Sequence, residues 1–271
     1  MEDKMSNSFL TTMVGKGVKA YKSGPEAWHG LLLAVNPDYI VLYNERDGYI
    51  YQRSNHIKNV VADEMANIQT THELTPLGTD ESNFNDILGS LIGEEVKINR
   101  GPESRKGRLL GVNGDYLALY SPKEGVSYFN LGHIKSFSVK AKEEAKHDDK
   151  ESNENKEKDK EKMEENQIVS FIDVSSLNRL FKHLKYSYVM INRGPEAVEG
   201  ILVDVKDNLI TLVFRDQVLR VNRNHVKSIR EKMTQDNNNN NNNNNDNSNQ
   251  NNDENSIVAS KKKKQDIKRK K

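Results

Sequence analysis

The sequence predicts a mainly β protein of three tandem small barrels, each led by a short helix, with a disordered charged linker and a disordered tail. Three observations predict it. A short motif recurs in order, as Gly24-Pro25-Glu26, Gly101-Pro102-Glu103 and Gly194-Pro195-Glu196. After three intervening residues each copy has a further glycine (Gly30, Gly107 and Gly200), and each closes on His-apolar-Lys. The closing triplets are His56-Ile57-Lys58, His133-Ile134-Lys135 and His225-Val226-Lys227. Between these landmarks lie short β-branched and aromatic runs broken by turn residues, which is the pattern of strands. Self-similarity of this kind marks one structural unit used repeatedly.

Copy two shows the elements most clearly. Val96 and Ile98 alternate before the Gly-Pro-Glu turn. Then come Leu109-Leu110, Tyr116 to Tyr120, Val126 to Phe129 and Ile134 to Phe137, separated by Asn113-Gly114-Asp115 and by Ser121 to Gly125. About five strands per copy is the size of a small barrel. Ahead of them, Phe84, Ile87, Leu88 and Leu91 stand at helical spacing, as do Leu177, Leu180, Phe181 and Leu184. Ser82 and Ser175 are the predicted caps, since a hydroxyl there satisfies free backbone N–H groups. Copy one keeps a weaker version around Phe9, Leu10, Met13 and Val14. The predicted barrels span 8–61, 83–139 and 174–231.

The remaining segments are polar. Lys140 to Asn166 holds 8 Lys and 11 acidic residues, too little apolar surface to offset the entropy of ordering. The charged linker is set at 140–173 and the tail at 232–271; a shorter connector runs from 63 to 81. The tail carries nine consecutive Asn, 237–245, and ends in a Lys-rich cluster, 261–271. Asn-rich low-complexity tracts are disordered yet prone to self-association. Over the whole chain 34% is hydrophobic, 30% is charged and the net charge is +1. With no Cys, disulfide and thiolate chemistry is excluded. No secretory signal or membrane span is expected, because the longest apolar stretch, Leu31 to Val35, is far too short.

No nucleophile elbow, phosphate loop or metalloprotease motif occurs, so the chain is expected to be no enzyme and to have no cofactor, metal or small-molecule substrate. A Gly-Pro pair at a strand end suits positive φ at Gly and fixes φ at Pro, so Gly-Pro-Glu reads first as a turn. Its Glu is then placed to cap N–H groups or to contact another copy. Arg100 and Arg193, beside two of the turns, are candidate partners for such a Glu. The histidines His56, His133 and His225 read as residues that open the last strand and bond locally. The Lys-rich end would bind polyanions without sequence preference, whereas the barrels show no basic stripe with stacking aromatics.

One short helix followed by five bent strands resembles the Sm-like barrel, with the SH3-like barrel as the near alternative. The run Gly107 to Leu117 carries this likeness. The sites where Sm proteins hold RNA read Ser54-Asn55-His56, Leu131-Gly132-His133 and Asn224-His225 here. These depart from the Asn and the Arg-Gly or Lys-His pair that RNA-binding Sm proteins use, which counts against RNA binding; the barrel likeness and the Lys-rich end keep an Sm-like RNA-binding protein with a basic tail as the alternative reading.

The repeated Asn-Arg-Gly-Pro-Glu-x-x-x-Gly, with Asp-Tyr-Leu-Ala-Leu, Val-Ser-Tyr-Phe-Asn and His-Ile-Lys-Ser-Phe in copy two, resembles the spore coat protein B family of endospore-forming bacteria. The resemblance covers about residues 8–231. It implies a structural protein of the outer spore coat, made in the mother cell, assembling with other coat proteins and with itself. Family members can carry a Ser/Lys/Arg-rich C-terminal region that a coat kinase phosphorylates. This chain has an Asn tract and a Lys cluster there, with only Ser248, Ser256 and Ser260.

Overall fold

Each copy of the motif folds into a helix and five strands. The computed structural model describes residues 7–20, 25–63, 74–77, 82–140 and 169–232. The expected disorder of the linker and tail, and Gly24, therefore lie almost wholly outside the described residues. Module one comprises α1 (Asn7–Thr11), β1 (Gly17–Ala20), β2 (Trp28–Val35), β3 (Tyr39–Asn44), β4 (Gly48–Arg53) and β5 (Val60–Ala62). Module two comprises α2 (Phe84–Ser90), β6 (Glu95–Ile98), β7 (Arg105–Asn113), β8 (Tyr116–Ser121), β9 (Gly125–Asn130) and β10 (Ser136–Val139). Module three comprises α3 (Leu177–His183), β11 (Tyr188–Ile191), β12 (Val198–Lys206), β13 (Leu209–Phe214), β14 (Gln217–Asn222) and β15 (Ser228–Glu231). No helix among them is long and apolar enough to cross a membrane.

The second landmark, the lone glycine, sits where its strand approaches the next one closely. A Cβ on Gly107 would lie 2.4 Å from the Tyr120 carbonyl oxygen, and one on Gly30 would lie 2.5 Å from that of Tyr43. Farther along the same strands the register slips between Leu32 and Ala34, Leu109 and Gly111, and Leu202 and Asp204. A bulge at one fixed place in every module bends the second strand in the same way.

The helices bury the expected faces. Phe84, Ile87, Leu88 and Leu91 are buried, as are Leu177, Leu180, Phe181 and Leu184. Their caps stand one residue later than the sequence suggests. Asn83 forms a capping box with Asp86, and Ser176 accepts from the Arg179 N–H. In module one Leu10 and Met13 are buried, while Phe9 and Val14 are exposed.

The mainly β expectation holds, but self-contained barrels do not form, because no module closes its sheet. The fifth strand of each later module turns away from its own fourth strand and pairs with the fourth strand of the module before it. Thus β10 pairs with β4, and β15 with β9. The result is one antiparallel sheet of fifteen strands in the order β14-β13-β12-β11-β15-β9-β8-β7-β6-β10-β4-β3-β2-β1-β5. The physical reason is that five short strands leave unpaired edge N–H and C=O groups, and the neighbouring module satisfies them.

The cores are shared in the same way. Ile40 and Leu42 of β3 face the core of module one, while Tyr39 and Val41 join the core of module two. Leu117 and Leu119 of β8 face module two, while Tyr116 and Ala118 enter the core of module three. The third strand is therefore buried on both faces in modules one and two. In module three only Ile210 and Leu212 of β13 are buried. Connecting segments strap across these joints. The Tyr51 hydroxyl accepts from the Leu77 N–H at 2.7 Å, and the Tyr128 hydroxyl accepts from the Ile172 N–H at 2.8 Å.

Candidate interaction site along the module junctions

The Gly-Pro-Glu turns and the His-apolar-Lys triplets meet in space. Gly101–Glu103 and Gly194–Glu196 each form a 3-10 turn, with φ +70° at Gly101 and +61° at Gly194. Positive φ there agrees with the expectation for a Gly placed before Pro. The close packing is itself part of the junction, since a Cβ on Gly101 would lie 3.1 Å from the Pro25 Cβ of module one.

His56, His133 and His225 do not open the last strand. Each ends a 3-10 turn (Ser54–His56, Leu131–His133, Arg223–His225), and the strand begins three or four residues later, at Val60, Ser136 and Ser228. Two hydrogen bonds pin this corner to the Gly-Pro-Glu turn. Asn99 Oδ1 accepts from the Lys135 N–H at 2.7 Å, and Asn99 Nδ2 donates to the His133 carbonyl at 3.2 Å. Asn192 makes the same pair with the Lys227 N–H and the His225 carbonyl, at 2.7 and 3.1 Å. Both asparagines have positive φ, a conformation that Asn tolerates better than most residues. This Asn, present in the shared run Ile-Asn-Arg-Gly-Pro-Glu, is the functional residue that sequence reasoning left without a role. Its recurrence in two copies was the available signal.

With the corners fixed, the lysines reach the glutamates of two modules at once. Lys135 Nζ lies 2.8 Å from Glu26 of module one and 3.6 Å from Glu103 of its own module. Lys227 Nζ lies 2.8 Å from Glu103 of module two and 3.0 Å from Glu196 of its own. The five side chains form an alternating series, Glu26, Lys135, Glu103, Lys227, Glu196, running across both junctions. Burial pushes the Glu103 carboxyl up, but the hydrogen bond from Lys227 and the charges of Lys135 and Lys227 outweigh it. The net result lies below the ordinary carboxylate value. Hydrogen bonds from Glu103 and Glu196 hold the Lys227 ammonium above its ordinary value. Lys58, the third lysine of the set, is exposed.

The arginines beside the turns do not take these glutamates. The Arg100 guanidinium stacks over the Trp28 ring at 4.5 Å and donates to the Ala27 carbonyl. Arg193 pairs with Glu124. Both contacts again cross a junction. A cleft of about 270 Å³ opens between modules two and three, with Asn99, Glu103, His133, Arg193 and Lys227 among its lining residues. His133 Nε2 lies 3.2 Å from the Asn224 carbonyl. Among the described residues no three His, Asp or Glu gather where they could hold a metal ion. What the arrangement does is join one five-stranded unit to the next through backbone pairing, shared apolar core and a shared ion-pair series.

No family model matches the chain. Spore coat protein B of Bacillus subtilis (strain 168) is 40% identical to it over 224 residues, which is 82% of this chain and 54% of that protein. The chain thus spans about half the length of the curated relative it matches.

Proposed function

Over those 224 aligned residues the chain belongs to the spore coat protein B family, and we propose that it is a structural component of the bacterial spore coat. It works by protein–protein assembly through its repeated five-stranded units, joining other coat proteins and copies of itself. The observation that carries this reading is the junction itself. A unit of one design contacts the next through strand edge, core and ion pairs, and the chain uses that contact twice. Each unit reads as an Sm-like barrel whose sheet has opened onto its neighbour, with the bulged second strand supplying the bend. Repeated linked contacts gain avidity from high effective concentration. Such a role needs no active site, cofactor or small-molecule substrate. Synthesis in the mother cell and deposition on the outer coat complete the proposal.

The test is cellular. The protein is expected in sporulating cells only, and is expected to extract with the spore coat. Recovery from growing cells bound to RNA would replace the coat reading with the Sm-like RNA-binding one. The two also separate on purified protein truncated after Glu231. The coat reading expects RNA affinity to vanish with the Lys-rich end; tight, salt-resistant binding of a defined RNA would contradict it.

A further inference from the structure

We infer that the chain binds a second copy of itself head to tail, by repeating between chains the junction it builds twice within itself. For its use in the coat this rests on the assembly reading above, while the contact itself stands on the geometry of the two free ends. Among the described residues, β5 has a single strand neighbour, β1, and β14 has a single neighbour, β13. They are the two ends of the sheet. β5 is a fifth strand, the type that docks at both internal junctions, and β14 is a fourth strand, the type that receives it. The two ends are therefore complementary to each other, and neither is complementary to itself.

The register follows from the internal junctions. Phe137 faces Tyr51 across one, and Ile229 faces Tyr128 across the other. The equivalent residues at the free ends are Val60 and Arg220, so Val61 comes opposite Leu219 and Ala62 opposite Val218. The backbone polarity agrees. The Arg223 N–H turns inward to the Asn208 carbonyl, so by alternation along the strand those of Asn222, Arg220 and Val218 point outward. At the internal junctions the matching outward donors are used, with the Arg53 N–H donating to the Lys135 carbonyl and the Asn130 N–H to that of Lys227.

Side chains at the two ends match as well. On one face, exposed Ala62 of β5 would meet Val218 of β14, which is 63% exposed, on the side that also carries Leu209 of β13, 44% exposed; on the other face Val61, 40% exposed, would meet half-buried Leu219. Tyr39 and Tyr116, the counterparts of Leu209 in modules one and two, are fully buried by the module that follows. The ion-pair series also stops short at both ends. Glu196 has its own module's Lys227 but no lysine from a following module among the described residues, and its side chain is 60% exposed. Lys58 is the exposed lysine that a following module one would bring to it. Thr211 and Arg220 stand where Ala118 and Tyr128 pack in module two. A contact between chains is accordingly less apolar than the internal ones, and so weaker and reversible. A head-to-tail contact either closes into a ring or extends as a filament, depending on the rotation per unit.

The test uses the full purified chain and two variants, followed by sedimentation velocity over a concentration series and by circular dichroism. Arg220→Pro removes an outward N–H on an edge strand, a position where Pro is tolerated. Val61→Lys places a charge at the site whose counterpart, Ser138, is buried in the built junction. Wild-type chain is expected to self-associate with rising concentration. Each variant alone is expected to remain monomeric with unchanged circular dichroism. An equimolar mixture of the two is expected to form a one-to-one dimer and nothing larger, because only the β5 of the Arg220→Pro chain and the β14 of the Val61→Lys chain remain competent. A wild-type chain monomeric at every concentration, self-association unaltered in both variants, or a mixture that stays monomeric would each overturn the inference. None of these results depends on whether the protein is found in the coat.

Discussion

Asp115 Oδ1 accepts a hydrogen bond from the Leu177 N–H at 2.6 Å, so a loop of module two starts the helix of module three. Asp38 does the same for Phe84 at 3.1 Å, one module earlier. A carboxylate at a helix N-terminus satisfies an orphan donor and meets the positive end of the helix dipole. Replacing Asp115 by Ala is expected to cost about 1 kcal/mol of stability. Thermal unfolding is the measurement. Asp115→Asn, which keeps the acceptor, should recover most of the loss. An Asp115→Ala protein as stable as wild type would show that the bond contributes nothing net.

The ion-pair series and His56, which feels the charges of its Lys135 and Glu26, set a pH window. Glu103 is held below its ordinary value of 4.5, so its contribution is present above that value and is lost as pH falls through the lowered one. Burial first, then the charges of Lys135 and Arg53, hold His56 below 6.5, so its contribution is present above 6.5 and is lost as pH falls. Lys227 is raised above 10.5, so its contribution is present below that pH and is lost as pH rises through the raised value. Stability should therefore be flat from about pH 7 to 10 and fall on either side. Lys227→Met should shrink both the alkaline loss and the part of the acid loss that belongs to Glu103. If melting temperature against pH keeps its shape in that variant, the series does not act as described.

Much of this was legible in the sequence, and the rest was hidden for identifiable reasons. Phe84, Ile87, Leu88 and Leu91 showed the helix because burying one helix face is a local periodic demand. Gly101 showed its turn because only backbone freedom explains Gly before Pro there. What no single copy could show was its neighbour. Tyr116-Leu117-Ala118-Leu119-Tyr120 reads as a strand with too many apolar residues, and only the shared core explains why both faces are apolar. The Glu103–Lys227 link spans 124 positions and joins two motifs that each look complete alone. His133 seemed to begin a strand because the 3-10 turn that it ends has no strong local signature.

The repeated glycine of the second strand gives a sharper test of packing. Gly107→Ala puts a methyl group 2.4 Å from a backbone oxygen, which only a shift of the two strands can relieve. The expected cost is about 1–3 kcal/mol. Gly89→Ala, in the helix of the same module with no neighbour within 4 Å, serves as the contrast. It should stabilise by up to about 1 kcal/mol, because Ala is the better helix former. Equal effects at the two sites, read by denaturant titration, would mean that the close approach does not constrain the sheet.

Shared cores also predict how the chain unfolds. Separate barrels on flexible tethers would melt one by one. Here Tyr39 and Tyr51 belong to the core of module two, and Tyr116 and Tyr128 to that of module three. Losing one module would expose the buried face of the module before it. Trp28 is the single tryptophan and reports on the first junction, with its ring under Arg100 and its Nε1 donating to Ser136 Oγ at 3.2 Å. Its emission and the far-ultraviolet circular dichroism of the whole sheet are expected to follow one coincident transition, as two-state unfolding requires. Arg100→Ala removes a cation–π contact of about 1–2 kcal/mol and should lower both curves together. A Trp28 transition that moves alone, well ahead of the circular dichroism, would show that the first junction opens independently and that the fifteen strands do not act as one cooperative unit.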